Sequence, residues 1–165
     1  AELIDKLITK NAKNFIILAA DPAEGVEEKI GYVSADIMLY AQELGLNTWW
    51  VGASFNKDAV KKECPNHTVY GVISIGYGEE QGSVHHSKDD FEVCSYEGEA
   101  PQWFKDGVEY ALMAPTAFNR QSFYIKGKGN TVHFEYKAGE FQGIDTGLVK
   151  YHFEAAAGKD NFEWA

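Results

Sequence analysis

The sequence predicts an α+β fold in a single domain. Three patterns indicate it: a continuously apolar run at residues 14–20, a long helical pattern at residues 30–44, and an aromatic strand pair within residues 122–136. Strand-like and helix-like segments alternate along the chain, which would also suit an α/β fold. The chain has 165 residues, of which 45% are hydrophobic, enough for one core and too few for two large domains.

The first half of the chain predicts three helices and three strands. Apolar residues recur at helical spacing within the first ten residues, and residues 57–63 predict a short helix. The longest helix is predicted to end at Gly45 and to bury one face, formed by Ile30, Val33, Ile37, Tyr40, Ala41 and Leu44. Strands are predicted at residues 14–20, 48–52 and 69–78. The run at 14–20 is typical of a strand buried on both faces.

The second half begins with a polar, weakly periodic segment at residues 79–101, for which we predict a long loop. A helix is predicted at residues 103–113 and ends before Pro115, because the residue before a proline avoids helical torsions. Residues 122–125 and 131–136 predict two strands joined by the turn KGKGN. The last helix is predicted at residues 145–157, with Gly158 as its cap.

The composition excludes several classes of protein. A net charge of −10 is unsuited to nucleic acid and to anionic membrane surfaces. No apolar run approaches the roughly 20 residues that span a bilayer. The two cysteines, Cys64 and Cys94, match no metal spacing. They suit free thiols in a reducing cytoplasm, although one disulfide remains an alternative. We therefore predict a cytoplasmic protein without a metal site.

The common motifs of catalysis and phosphate binding are missing, and the histidines do not form a ligand cluster. What remains is rich in aromatic and amide side chains. Trp49 and Trp50 are consecutive in a strand and must point to opposite faces, so only one of them can enter the same core. A chain without its own nucleophile or base can still be an enzyme if a cofactor carries the reaction. A flavin fits physically, since it needs apolar faces, backbone donors and side-chain amides.

Four segments resemble the nitroreductase family of FMN-dependent oxidoreductases. APTAFNRQSF (residues 114–123) is similar to the family's Ala-Pro-Ser-x-x-Asn-x-Gln-Pro-Trp segment. Residues 31–55 resemble its central helix followed by Gly-Leu-Gly-x-x-Trp-x-Gly, and residues 72–78 resemble its strand ending in Gly-Tyr-Pro. GIDTGLVKYHFEAAAGKDNFEW is similar to the Ile-Asp-x-Gly-Ile ending of a nitroreductase-like subgroup. The four occur in the subgroup's order.

The resemblance implies a three-layer sandwich with a mixed sheet and a central buried helix. It also implies roles for individual residues. Gln121 would support the turn that meets the flavin ring edge, and the residues at that edge would be Pro115, Thr116, Ala117 and Asn119. Asn119 would alternatively only close this turn. The backbone near flavin N5 would be that of Val51, Gly52 and Ala53. His86 and Lys88 take the place of a Lys-x-Arg phosphate pair, with histidine as the weaker anchor. We assign Trp50 and Phe118 to substrate binding.

The implied activity is reduction of electron-poor acceptors, such as nitroaromatics or quinones, by NADH or NADPH through FMN, in a homodimer. No protein residue need act as a general base. The family's opening Arg-x-Ser-x-Arg segment has no counterpart here, so we expect an N-terminal segment to be missing from the sequence, or else a degenerate flavin site. Two alternatives are a flavin-binding or flavin-sequestering protein without turnover, and an aromatic-lined binding domain without flavin.

Overall fold

The computed structural model describes residues 12–165, and the helix predicted in the first ten residues lies outside them. The described chain contains seven strands: β1 (Asn14–Ala20), β2 (Asn47–Val51), β3 (Thr68–Gly76), β4 (Cys94–Tyr96), β5 (Phe123–Lys128), β6 (Thr131–Tyr136) and β7 (Glu163–Trp164). It contains five α-helices: α1 (Val26–Glu43), α2 (Lys57–Glu63), α3 (Asp90–Val93), α4 (Gln102–Ala111) and α5 (Gln142–Ala157). The predicted α+β class is confirmed.

The strands form two sheets. The first is antiparallel with the order β1-β3-β2 and buries the middle of β3, whose run of four buried residues suits a central strand. The second has the order β4-β5-β6-β7 and is mixed, because β4 and β7 join it in parallel whereas β5 and β6 form an antiparallel hairpin. Helix α1 packs on the first sheet, and α5 packs between α1 and the core of the second.

Helices α1 and α5 cross so closely that their backbones touch. A Cβ atom on Gly31 would lie 2.0 Å from the carbonyl oxygen of Ile144, and one on Gly147 would lie 2.0 Å from that of Glu28. Both distances are far shorter than any real contact, so only glycine fits at either position. The crossing is flanked by an ion pair of 2.7 Å between Lys150 and Glu28.

The buried face of α1 differs from the predicted one. The buried residues are small: Gly31, Ser34, Ala35 and Ala41. Three residues of the predicted face, Val33, Tyr40 and Leu44, are 53%, 62% and 55% exposed. The helical period was correct, but burial follows the close crossing with α5, which only small side chains permit. These three exposed side chains therefore point away from that contact.

The polarity of residues 79–101 predicts a long loop, but the structure shows that this segment is not entirely a loop. It contains α3, which begins with a capping box in which the side chains of Asp89 and Glu92 each accept a backbone N–H. It also contains β4, which pairs with β5 at Cys94 and Ile125. The pattern Asp-x-x-Glu before an apolar residue is typical of a helix start and could have predicted α3 from the sequence. The short strand β7 was missed as well.

The composition led to expectations about the cysteines, membrane-spanning segments and metal sites, and the structure describes all three features. Cys64 and Cys94 are both free thiols. No helix within residues 12–165 is long and apolar enough to cross a membrane. The same residues contain no group of three or more potential metal ligands.

The helix crossing predicts that Gly147→Ala destabilises the fold. Alanine favours a helix over glycine by about 1 kcal/mol, but the new Cβ would meet the backbone of α1, which cannot rotate away. Overpacking of this kind costs about 1–3 kcal/mol or more. We expect a net loss of about 2 kcal/mol in the free energy of unfolding, measured by urea denaturation.

Gly76→Ala is the matched control for this substitution, because a Cβ at Gly76 meets nothing within 4 Å. Equal stability of the two variants would show that α1 and α5 do not cross as closely as described.

Candidate functional site

A cavity of about 360 Å³ lies between the end of β2, the turn after α4, and the facing parts of α1 and α5. Its walls are mainly apolar and aromatic. The lining residues are Met38, Thr48, Trp49, Trp50, Val51, Gly52, Ala53, Ser54, Pro115, Thr116, Ala117, Phe118, Phe141, Asp145 and Leu148. Two segments that are far apart in sequence, residues 48–54 and 115–118, thus form one site.

Eight of the residues singled out from the sequence lie in this lining. They are Trp50, Val51, Gly52, Ala53, Pro115, Thr116, Ala117 and Phe118. The register of β2 with β3 ends at the pair Val51–Val72, so the chain at Gly52 has left the sheet as it enters the cavity wall. A Cβ on Gly52 would lie 2.5 Å from the ring of Phe141, so glycine allows that ring to cover the backbone here.

The two adjacent tryptophans diverge as strand geometry requires. Trp49 is 41% exposed, whereas Trp50 is partly buried and packs against the core shared by α1 and α5. The ring of Trp50 also meets that of Phe141 edge to face, with centroids 6.2 Å apart. The indole Nε1 of Trp50 is the one buried side-chain polar atom without a hydrogen-bond partner within residues 12–165.

The turn after α4 has an unusual backbone. Phe118, Asn119 and Gln121 have φ of 55°, 51° and 47°, a region that only asparagine among the three tolerates readily. Phe118 is 78% exposed, with its side chain at the cavity. Two hydrogen bonds close the turn: the N–H of Asn119 donates to the carbonyl of Thr116 at 2.8 Å, and that of Gln121 donates to Thr116 Oγ1 at 3.0 Å. Such strain persists only where surrounding contacts enforce it.

Four other predicted site residues lie outside the lining and brace the turn. Gln121 is buried, and its side chain donates to the carbonyl of Leu112 at 3.0 Å and accepts the N–H of Lys88 at 2.8 Å. The Nζ of Lys88 donates to the carbonyl of Gln121 at 2.9 Å. Asn119 Nδ2 donates to the carbonyl of His86 at 2.8 Å. Gln121 thus supports the turn, and the segment with His86 and Lys88 is bound to it.

The most consequential residue that sequence reasoning missed is Asp145, in the first turn of α5. It is 2% exposed, and it lines the cavity. The N–H of Ala117 donates to its two carboxylate oxygens at 3.1 and 3.0 Å, and the hydroxyl of Tyr136 donates to Oδ2. Asp145 lay inside the quoted GIDTG segment, but an acidic residue near a helix start has an ordinary explanation in the helix dipole.

The electrostatics of the site are dominated by this carboxylate. Burial raises the pKa of Asp145, against the opposing effect of the hydrogen bonds from Tyr136 and Ala117. Burial and the nearby carboxylate also raise the pKa of the Tyr136 hydroxyl. Asp145 is the one acidic or basic residue in the described lining. The guanidinium of Arg120 lies over the ring of Phe118, 4.9 Å from its centroid.

The α+β fold with its two sheets thus places a cavity between the end of β2 and the strained turn after α4. The chain belongs to a nitroreductase family: residues 1–157 match the family described as "Putative TM nitroreductase".

A solved structure has a similar fold. The fold is similar to that of a protein from Thermotoga maritima described as a "putative nitroreductase", with a TM-score of 0.68 and 21% sequence identity. The match covers 86% of this chain and 59% of that one, so the chain spans less than two thirds of that protein's length. At this identity the likeness establishes the fold, which confirms the predicted nitroreductase-like architecture. No curated protein sequence gave a match.

The raised pKa of Asp145 predicts a pH-dependent effect of Asp145→Asn. Between the unfolded pKa, 3.8, and the higher folded pKa, the native state keeps a proton that the unfolded chain has lost. The stability that Asp145 contributes is therefore present below about pH 4 and falls as pH rises through the folded pKa. Asparagine does not titrate. We expect the wild type to lose stability relative to Asp145→Asn as the pH rises from the unfolded pKa, 3.8, to the higher folded pKa.

Urea unfolding of both proteins at several pH values measures this difference. Asp160→Asn, at an exposed position, controls for the change in net charge. A difference that moves in the opposite direction would show that hydrogen bonds to the carboxylate outweigh its burial.

Proposed function

We propose that the chain is an FMN-dependent oxidoreductase in which a nicotinamide donor, NADH or NADPH, supplies electrons for electron-poor acceptors such as nitroaromatics or quinones. One observation carries the proposal: the two segments expected to hold a flavin ring, residues 51–53 and 115–117, line the same cavity. Membership of a nitroreductase family supports it. The proposal also includes a cytoplasmic location.

The residues present fit a flavin ring. The cavity volume, about 360 Å³, lies within the range of small-molecule sites, roughly 300–1,000 Å³. Aromatic side chains from three segments, Trp50, Phe118 and Phe141, offer apolar surface to a planar ring. Polar groups at the edges include the hydroxyl of Thr116 and the backbone beyond the end of β2. This donor set suits a conjugated ring with polar edges.

Each wall has a distinct task in the proposed site. Val51, Gly52 and Ala53 carry small side chains, so a ligand can approach their backbone closely. The turn at Pro115, Thr116 and Ala117 would contact a ring edge. When bound, the flavin would accept hydride from the nicotinamide and transfer electrons to the acceptor. The chain would hold and orient the reactants and keep water from the ring.

The substrate would bind at the open side of the cavity. Phe118 is exposed, and both Phe118 and Trp50 line the cavity. Aromatic side chains bind planar electron-poor acceptors by stacking. Both residues keep their proposed role as substrate contacts.

A homodimer is part of the proposal. Val33, Tyr40 and Leu44 expose apolar side chains along α1, and Trp49 is exposed where β2 meets the cavity. Several large apolar side chains exposed along one helix are typical of an interaction face. A second copy packed on this face would cover the face of α1 that the close crossing with α5 leaves in solvent.

The phosphate group needs cations, which the described lining does not contain. We propose Lys88 for this contact, with His86 assisting and Asn119 near the ring edge. The hydrogen bond from Lys88 to Gln121 and the one from Asn119 to His86 hold these residues next to the turn. Lys88 would have to exchange its bond to the Gln121 carbonyl for the phosphate.

The alternative is a protein that binds or sequesters flavin without turnover. The observation that favours it is the engagement of the Lys88 ammonium by a backbone carbonyl, which weakens the phosphate site. The two functions differ in whether a nicotinamide reduces the bound flavin.

The first experiment is a visible spectrum of the protein mixed with FMN and separated from free FMN. We expect bands near about 370 and 450 nm that bleach when NADH or NADPH is added without oxygen. Ala53→Trp, which fills the cavity, should abolish the bands. Ala23→Trp, at an exposed position before α1, is the control and should keep them. Bound flavin that no nicotinamide bleaches would favour sequestration, and no bound flavin would reject both functions.

A second prediction concerns Lys88→Ala. If Lys88 contacts the phosphate, FMN affinity should fall about five- to tenfold at low salt, and the loss should shrink at about 0.5 M salt because ions screen the contact. Riboflavin, which lacks the phosphate, should bind both proteins equally. Lys62→Ala, at an exposed lysine of α2, is the control. Equal loss for riboflavin and FMN would show that Lys88 only braces the turn.

A further inference from the structure

Asp145 is an anomaly in the cavity wall. It is the one acidic side chain that is buried within residues 12–165, and burying a carboxylate is unfavourable unless it is well paired. Its neighbours in the wall, Leu148 and Phe141, are apolar. The polar partners of this carboxylate are the N–H of Ala117 and the hydroxyl of Tyr136, so its task should be sought in these two contacts.

The contacts of Asp145 join three parts of the fold. Asp145 lies in the first turn of α5, Ala117 in the turn after α4, and Tyr136 at the end of β6. Both carboxylate oxygens accept the N–H of Ala117, and the hydroxyl of Tyr136 holds one of them in place. Hydrogen bonds to an ionised acceptor are stronger than neutral ones.

The turn needs such an anchor at this residue. Ala117 directly precedes Phe118 and Asn119, both of which have positive φ. On the other side, Gln121 is fixed by its bonds to Leu112 and Thr116. Phe118 and Asn119 are therefore held on both sides, by the bond of Ala117 to Asp145 before them and by Gln121 after them. Without the first anchor, relaxation of Phe118 toward ordinary torsions would change the cavity wall.

We propose that Asp145 is the positioning residue of this site: its carboxylate holds the N–H of Ala117 and so keeps residues 116–118 facing the cavity. The inference rests on the proposed flavin function for its consequence in binding, but its structural part can be tested without any ligand. Asp145 acts through the turn and not as a catalytic group.

Three variants separate positioning from stability. Asp145→Leu keeps the same branched shape and removes the acceptor, so the N–H of Ala117 and the hydroxyl of Tyr136 lose their partner and the fold should lose stability. Asp145→Asn keeps an acceptor oxygen for Ala117 and is the rescue variant. Val149→Ala, in the same helix and buried in the core of the second sheet, creates a cavity away from the site and is the destabilised control.

The first readout is amide hydrogen exchange at Ala117 in the protein without FMN. In Asp145→Leu we expect exchange at this amide to be at least about tenfold faster than in the wild type. The reason is that the amide loses one hydrogen bond to a charged group. In Asp145→Asn it should stay within about threefold of the wild type. In Val149→Ala it should change only as much as the exchange of other core amides does.

The second readout is FMN affinity per folded molecule. Asp145→Leu should lose about tenfold, and Asp145→Asn and Val149→Ala should lose little. If the wild type binds no FMN, the proposed function fails while the exchange experiment still decides the positioning role. If Asp145→Leu does not fold, Tyr136→Phe takes its place and should speed the exchange of Ala117 by a smaller factor. Unchanged exchange of Ala117 in a folded Asp145→Leu or Tyr136→Phe variant would overturn the inference.

Discussion

The close crossing of α1 and α5 is the contact on which the site depends. Helix α1 leads into β2 and so positions the wall at residues 50–54, whereas the first turn of α5 carries Asp145, which holds the opposite wall. Gly31 and Gly147 let the two helix backbones touch, with no flexible side chain between them. Because backbone atoms cannot change rotamer, this contact sets the distance between the two walls more rigidly than a layer of long side chains would.

The turn at residues 115–121 gains its unusual shape from contacts outside itself. The hydrogen bonds within the turn that involve Thr116 are compatible with several backbone conformations. The positive φ values of Phe118 and Gln121 nevertheless cost of order 1–3 kcal/mol each. Asp145 and Gln121 offset this cost from two sides, since both are buried and hydrogen-bonded. The turn is therefore shaped before any ligand arrives, which lowers the entropy lost on binding.

The fold was largely predictable from the sequence because its strands and helices have strong local patterns. The run at residues 14–20 and the helix at 57–63 were predicted with the bounds that the structure shows. The buried face of α1 was not, because periodicity identifies an apolar stripe but not the small-residue stripe that a helix crossing requires. The strand β4 was missed because a three-residue edge strand is stabilised by its pairing with β5, which its own sequence does not reveal.

The site was predictable only where its residues lie in continuous segments. Residues 50–53 and 115–118 were recognised as segments, and the structure brings both to one cavity. Asp145 could not be assigned in this way, because its role depends on Ala117 and Tyr136, which approach it only in the folded chain. A carboxylate early in a helix looks the same in sequence whether it stabilises the helix end or holds a distant amide.

The charge of the site follows from the same arrangement. The one ionisable residue in the described lining is an acid that already accepts two donors, so the cavity presents mainly apolar surface and backbone to a ligand. Cationic side chains occur beside the turn, where Lys88 and Arg120 lie. Such a division suits a ligand with an uncharged planar ring and an anionic tail, because the ring can enter the cavity while the tail remains among the cations outside it.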